Sequence, residues 1–177
     1  MLIQFAMNRI KLWTLAIIGF SVIAVSCEKE DDDDDNNNNN PPAQEGIQGE
    51  WQSSGMDVAP LLVTLFGTDS IYANFNTDLT YVVEQYDSAG TKLTLSGVYT
   101  QTKSNVGEIW TIEVNQNSPA TLVSEGIFEV TGTTMQYEIV QTSPSIGATP
   151  PTPQGGFGST NGGTLGTSNV QVYQRIN

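Results

Sequence analysis

Histidine is absent from this sequence, and cysteine occurs once, at Cys27. Without an imidazole or a second thiol, Ser-His-Asp and Cys-His catalysis and the common zinc sites lack their parts. No disulfide can form within the chain, so the folded part depends on its packed core. Positive charge is scarce too: 6 Lys and Arg stand against 19 Asp and Glu, for a formal net charge of -13. The phosphates of a nucleic acid would be repelled rather than gathered, which excludes nucleic-acid binding. Beyond residue 44 no stretch of about eleven residues keeps apolar side chains at spacings of three and four, so no long amphipathic helix is expected. Carboxylate pairs are the remaining catalytic resource. Glu113 and Glu138, however, alternate opposite apolar residues and are expected to face solvent. Ser and Thr hydroxyls are abundant, but Lys92 and Lys103 lie near turns and supply no activating base. The chain reads as a non-enzyme, with no metal and no cofactor.

What is present begins with a processing signal over residues 1–26. Arg9 and Lys11 form a positive start, and Leu12 to Val25 is a 14-residue apolar run. A resident membrane helix needs about 20 residues, so the run fits a cleaved leader better than an anchor. Met7 is a candidate for the true start, since the leader is compact from there and the six residues before it add nothing a signal needs. Ala24-Val25-Ser26-Cys27 resembles the lipobox of bacterial lipoproteins, departing from it at Ala24, where Leu, Val or Ile is usual. The resemblance implies a lipid on the Cys27 sulfur and membrane attachment through it, each buried methylene contributing about 0.8 kcal/mol. Residues 27–44 follow as a tether: Glu28-Lys29-Glu30, five Asp, five Asn and Pro41-Pro42. Such a segment cannot bury enough apolar surface to offset its ordering entropy, and its charges extend it. The Asp run lacks the glycine turn and ligand spacing of a calcium loop. Cys-Glu-Lys-Glu-Asp-Asp resembles the acidic export signal of Bacteroidetes lipoproteins, which implies the outer membrane and its cell-surface face. The periplasmic face is the alternative.

Residues 45–177 form the one folded domain, rich in Thr, Val, Tyr, Ile and Gly with alternating polarity. Alternation predicts eight strands at about 47–54, 69–76, 79–87, 92–102, 107–116, 120–131, 133–143 and 169–176. Period two turns Ile71 and Phe75, Leu93, Leu95 and Tyr99, Trp110, Ile112 and Val114, and Met135, Tyr137 and Ile139 to one side. Short turns such as Ser88-Ala89-Gly90-Thr91 and Thr131-Gly132-Thr133 imply antiparallel neighbours in a meander. An all-β meander of eight strands closes into an up-and-down barrel, which removes both edges. A β-sandwich is the alternative closure.

Gly49-Glu50-Trp51 on the first strand resembles the Gly-x-Trp signature of lipocalins, and Arg175 sits where that family keeps a basic residue over the tryptophan. The domain as a whole resembles the lipocalin-like lipoproteins of Bacteroidetes. A closed barrel would make the first and last strands neighbours, so Trp51 and Arg175 are expected to stack across the seam. Parity gives a second expectation, independent of any family. Connections after strands one, three, five and seven emerge at one end, so the two long ones, 55–68 and 144–168, should sit side by side. The first carries Val58-Ala59-Pro60-Leu61-Leu62-Val63, apolar enough for a short helix or lid. The second is 25 residues without one charge. Its Phe157 is costly to leave in water, so this loop is expected to fold over the mouth.

These expectations describe a membrane-anchored binding module. A small apolar or amphiphilic ligand would lie at the open end among Phe75, Tyr99, Trp110, Tyr137 and Phe157. The alternative is an envelope interaction protein whose barrel is filled by side chains and whose loops meet a partner. An interior cavity of about 300 Å³ or more would favour the first. Asp69-Ser70-Ile71 and Asp87-Ser88-Ala89 resemble the short O-glycosylation acceptor pattern of Bacteroidetes, which implies Ser70 and Ser88 as acceptors. The anchor is testable by itself. In cells fed labelled fatty acid, the chain should carry label and Cys27→Ser should lose it, whereas retained label would refute the lipid assignment.

Overall fold

A computed structural model describes residues 45–177. The leader, the Cys27 lipidation site and the tether lie outside the described residues. Eight strands follow one another: β1 (Gly49–Ser54), β2 (Thr68–Phe75), β3 (Thr80–Asp87), β4 (Lys92–Lys103), β5 (Trp110–Ser118), β6 (Leu122–Thr131), β7 (Thr134–Ser143) and β8 (Gln171–Arg175). Each pairs antiparallel with the next, and β8 pairs with β1, so the sheet is a closed up-and-down barrel and not a sandwich. The strand bounds match the alternation closely. The largest difference is at β5, which begins at Trp110 because 104–109 is occupied by a turn. There the Ser104 hydroxyl donates to the Ile109 carbonyl at 2.7 Å and accepts from the Val106 N–H at 3.1 Å.

The inner face follows the alternation. Ile71, Ala73, Phe75, Tyr81, Tyr99, Ile112, Val114, Phe128, Met135, Tyr137 and Tyr173 are buried together. Leu93 shares that face but lies at the rim and is 46% exposed. Outward positions are mostly polar, as in Gln52, Thr94, Thr100, Glu113 and Glu125. Apolar inside and polar outside is the reverse of a membrane-spanning barrel. Close curvature is permitted where a side chain is missing: a Cβ on Gly97 would lie 2.0 Å from the Asn115 carbonyl oxygen, at the point where β4 shifts register against β5.

The seam is short. Two residue pairs define it, Trp51 opposite Arg175 and Gln52 opposite Gln174. The Arg175 guanidinium carbon stands 4.1 Å from the centre of the Trp51 ring. Trp51 is fully buried, and its indole N–H donates to the Ile47 carbonyl at 2.7 Å. The Arg175 guanidinium also donates to the Gln48 carbonyl at 2.7 Å, and the Ile176 N–H to the Glu50 carbonyl at 2.9 Å. The seam therefore ties the segment before β1 and the segment after β8 to one another at the closed end. Trp51→Ala should lower the unfolding free energy by about 3–5 kcal/mol, the usual cost of truncating a buried tryptophan. Arg175→Ala should cost about 1–3 kcal/mol, from the lost ring contact and an unmet carbonyl. Urea unfolding followed by tryptophan fluorescence measures both, and an Arg175→Ala protein as stable as the parent would show that the stack does not fasten the seam.

Candidate functional site

Parity sets the two long connections at one end of the barrel, and they do meet: the helix α1 (Pro60–Phe66) of the first touches the 3-10 turn Gly166–Asn169 of the second. Proline at the first helical position and Gly67, left-handed at φ 64°, bound α1 as such residues bound helices generally. Gln171, at the start of β8, clips α1 down. Its side-chain oxygen accepts from the Ala59 N–H at 2.8 Å, and its amide nitrogen donates to the Ser53 hydroxyl and, at 3.2 Å, to the Asp57 carbonyl. Leu62 thereby turns into the barrel, while Val63, Leu65 and Phe66 are exposed outside it, as is Met56 in the turn before the helix.

Beneath α1 lies a cavity of about 280 Å³. Its deep wall is apolar: Ile71, Phe75, Val83 and Val114, with the rings of Tyr81, Tyr137 and Tyr173. Phe75 meets Tyr81 in a stacked pair at 6.1 Å and Tyr137 in a tilted pair at 6.3 Å. Burial pushes the Tyr81 phenol up to about 12 and raises those of Tyr137 and Tyr173, so all three are neutral hydroxyls near pH 7. Toward the mouth the lining turns to uncharged polar groups: Gln85, Gln116, Ser124, Gln141, Gln171 and Asn169. Among the described residues that line the cavity, none is charged.

Of the five aromatic residues expected around a ligand, the structure puts Phe75 and Tyr137 on the cavity wall. Tyr99 lies below it toward the closed end, edge-on to Phe75 at 5.3 Å, with its hydroxyl donating to the Asn76 carbonyl at 2.8 Å. Trp110 is also near the closed end, stacked on Phe128 at 5.9 Å. Phe157 lies elsewhere. The 144–168 connection does not fold over the mouth as expected, because it straps along the outside of β5, β6 and β7. Pro150 to Pro153 run beside Thr111, Glu113 and Glu125. Further on, the Gly158 N–H at 2.6 Å and the Thr160 N–H at 3.1 Å donate to the Glu138 carboxylate, as does the Thr160 hydroxyl. Phe157 is half-buried in that strap, and only the Gly166–Asn169 turn reaches the mouth, where Asn169 joins the cavity lining.

The same strap corrects the reading of Glu138. It does point outward, as its alternation requires, yet it is fully buried under the strap together with its outward neighbour across the strands, Ile127. Glu113 is exposed as expected and faces Glu125 across β5 and β6. Those two carboxylates accept from Asn115 and Thr142 respectively and lie on the outer wall, away from the cavity. Ser88 is exposed in the turn between β3 and β4, while Ser70 is half-buried within β2 opposite Ser54 and Tyr86. Sequence reasoning missed Tyr81, Tyr173 and the glutamines of the mouth. Tyr173 was within reach, since period two puts it on the same face of β8 as Arg175.

No family model matches the chain, and neither curated proteins nor solved structures yield a significant match.

Removing the Glu138 side chain would leave three strap donors without their acceptor, at about 1–3 kcal/mol for each one that stays buried. Detaching the strap is the cheaper response. Glu138→Ala should therefore speed proteolytic cleavage within 144–168 while the far-ultraviolet circular dichroism of the barrel is kept. Unchanged cleavage would mean that other contacts hold the strap.

Proposed function

We propose that this chain is an envelope lipoprotein whose barrel carries one small apolar or amphiphilic molecule. The observation that carries the reading is the cavity: about 280 Å³, apolar at depth, polar but uncharged at the mouth, and covered by a helix clipped to the wall. That volume stands just under the roughly 300 Å³ at which ligand pockets usually begin. It is about twice the roughly 150 Å³ of an apolar cavity that accepts benzene. A ligand of about ten non-hydrogen atoms suits it. The stack of Arg175 on Trp51 beside Gly49 supports kinship with the lipocalin-like lipoproteins of Bacteroidetes. On this reading the protein is a binder and not an enzyme, held by lipid on Cys27 at the outer membrane with its barrel at the cell surface, or at the periplasmic face in the alternative.

A second reading makes the protein an interaction module of the envelope. What favours it is the number of exposed apolar side chains in the first long connection: Met56, and Val63, Leu65 and Phe66 on the lid helix. Native mass spectrometry of protein from its own host separates the two. The carrier reading expects extra mass that survives gentle ionisation and leaves on denaturation. Repeated absence of that mass would overturn it.

A further inference from the structure

The exposed large apolar side chains are unevenly placed along the barrel. By strand parity Met56, Val63, Leu65 and Phe66 in the first connection, Leu93 at the start of β4 and Ile146 just past the end of β7 all lie at the mouth end. Only Leu79 and Ile176 lie at the closed end, and Val98 sits midway along β4. Charge is sparse where these side chains gather. The connections of the mouth end, 55–67, 88–91, 119–121 and 144–170, hold one charged residue among them, Asp57, with Asp69, Asp87 and Lys92 flanking them at the strand ends.

The helix α1 is apolar on every side. Thr64 has its one polar side chain, and that hydroxyl donates within the helix, to the Pro60 carbonyl at 2.8 Å. Leu62 is its one large side chain on the cavity wall. The helix therefore offers apolar area with no free side-chain donor or acceptor. That suits hydrocarbon better than a protein partner, whose interfaces are laced with hydrogen bonds. A second copy of this chain is a poor occupant as well: residues 45–177 carry 12 Asp and Glu against 3 Lys and Arg, so two copies repel, and the same excess disfavours anionic lipid.

A bilayer is also within reach. The Gln101 side-chain oxygen accepts from the Ile47 N–H at 2.9 Å and Arg175 holds the Gln48 carbonyl, so the chain enters the barrel at its closed end. Residues 28–44, between Cys27 and the domain, can span at most about 60 Å, whereas β4, the longest strand at 12 residues, runs about 40 Å. A lipid on Cys27 thus leaves the mouth free to turn to the membrane, at the high effective concentration that a tether gives. We propose that the mouth end docks on a zwitterionic lipid surface with α1 in its boundary layer, so that the ligand passes between bilayer and cavity without crossing water. This rests on the envelope-carrier reading and names the surface from which the carrier loads.

Tryptophan emission of the full lipid-bearing chain on phosphatidylcholine vesicles, with and without bromine on the acyl chains, tests it. Without its leader the chain keeps Trp51 and Trp110, both toward the closed end, so the parent should be little quenched. Phe66→Trp should add emission that is shifted to the blue and lost on bromolipid. Ile176→Trp, at the closed end, should add emission that bromolipid leaves alone. Val63→Ser combined with Leu65→Ser should free the Phe66→Trp probe from quenching, and phosphatidylglycerol in the vesicles should weaken it. No quenching of the Phe66→Trp probe, or equal quenching of both probes, would overturn the docking. A blue-shifted Phe66→Trp probe untouched by bromolipid would mean that protein covers the lid and would overturn it too. Stronger quenching with phosphatidylglycerol would overturn the choice of a zwitterionic surface. The probe reads docking and the native mass reads cargo, so lost quenching with bound mass retained sinks the docking alone, and absent mass sinks the carrier.

Discussion

A ribbon of eight strands has two raw edges, and here both are removed by a junction only two residue pairs long, Trp51 with Arg175 and Gln52 with Gln174. So short a ladder offers few main-chain hydrogen bonds against the entropy of bringing the chain ends together. The side chains add what the ladder lacks. An indole buried on all sides, with a guanidinium 4.1 Å from its centre, binds the seam through area and charge at once. Both groups also hold main-chain carbonyls of the segment leading into β1, at Ile47 and Gln48, so that segment is drawn against the closed end. The site depends on this junction. The residue that clips the lid, Gln171, opens β8, and its partners Ser53, Asp57 and Ala59 belong to β1 and the connection that follows it. Only a closed seam brings them within reach.

Along the barrel axis the interior passes from rings to amides. Near the closed end Trp51, Tyr99, Phe128 and Met135 fill the space, with Trp110 stacked half-buried on Phe128. Higher up, smaller side chains such as Ile71, Val83 and Val114 leave room, and the cavity begins. At the mouth glutamine, asparagine and serine join Leu62, Leu95 and Leu122 in the lining. Charge is kept to the outside because an unpaired ion in a low-dielectric interior costs several kcal/mol. An amide costs less, provided its donor finds a carbonyl nearby, and the strand ends and turns supply those carbonyls at Ala120 and Pro144.

The barrel was legible because period-two alternation is a strong signal, and because strand parity puts odd-numbered connections at one end whatever the sequence of the loops. Alternation also assigned the faces correctly: Glu138 does point outward. What it cannot say is whether an outward face stays wet. The sign of cover was present at Ile127, an isoleucine on the outer face directly opposite Glu138, but Val82, Val98 and Val140 share that outer face, so one more apolar residue there does not stand out. Phe157 was weighed by its cost in water, which is the same whether it meets a mouth or a wall. The hydrogen bonding of the mouth was illegible for a further reason: which glutamines face inward follows from alternation, but what their side chains bond depends on the carbonyls of neighbouring turns.

The strap's composition becomes intelligible against that wall. A loop that lies on a sheet must bring its backbone close, and the glycines and prolines of 150–158 allow this where long charged side chains would hold it off. Gly158 shows the requirement locally. Its φ is +85°, its N–H donates to Glu138 at 2.6 Å, and a Cβ there would stand 3.2 Å from the backbone of Gly166. A carboxylate beneath such a loop collects N–H and O–H groups that would otherwise be lost from water, without needing a cation on a loop that has none. The two long connections therefore divide their work. The seventh covers the wall and lends the mouth only Asn169, while access to the cavity lies with the first, through α1 and the single glutamine that holds it down.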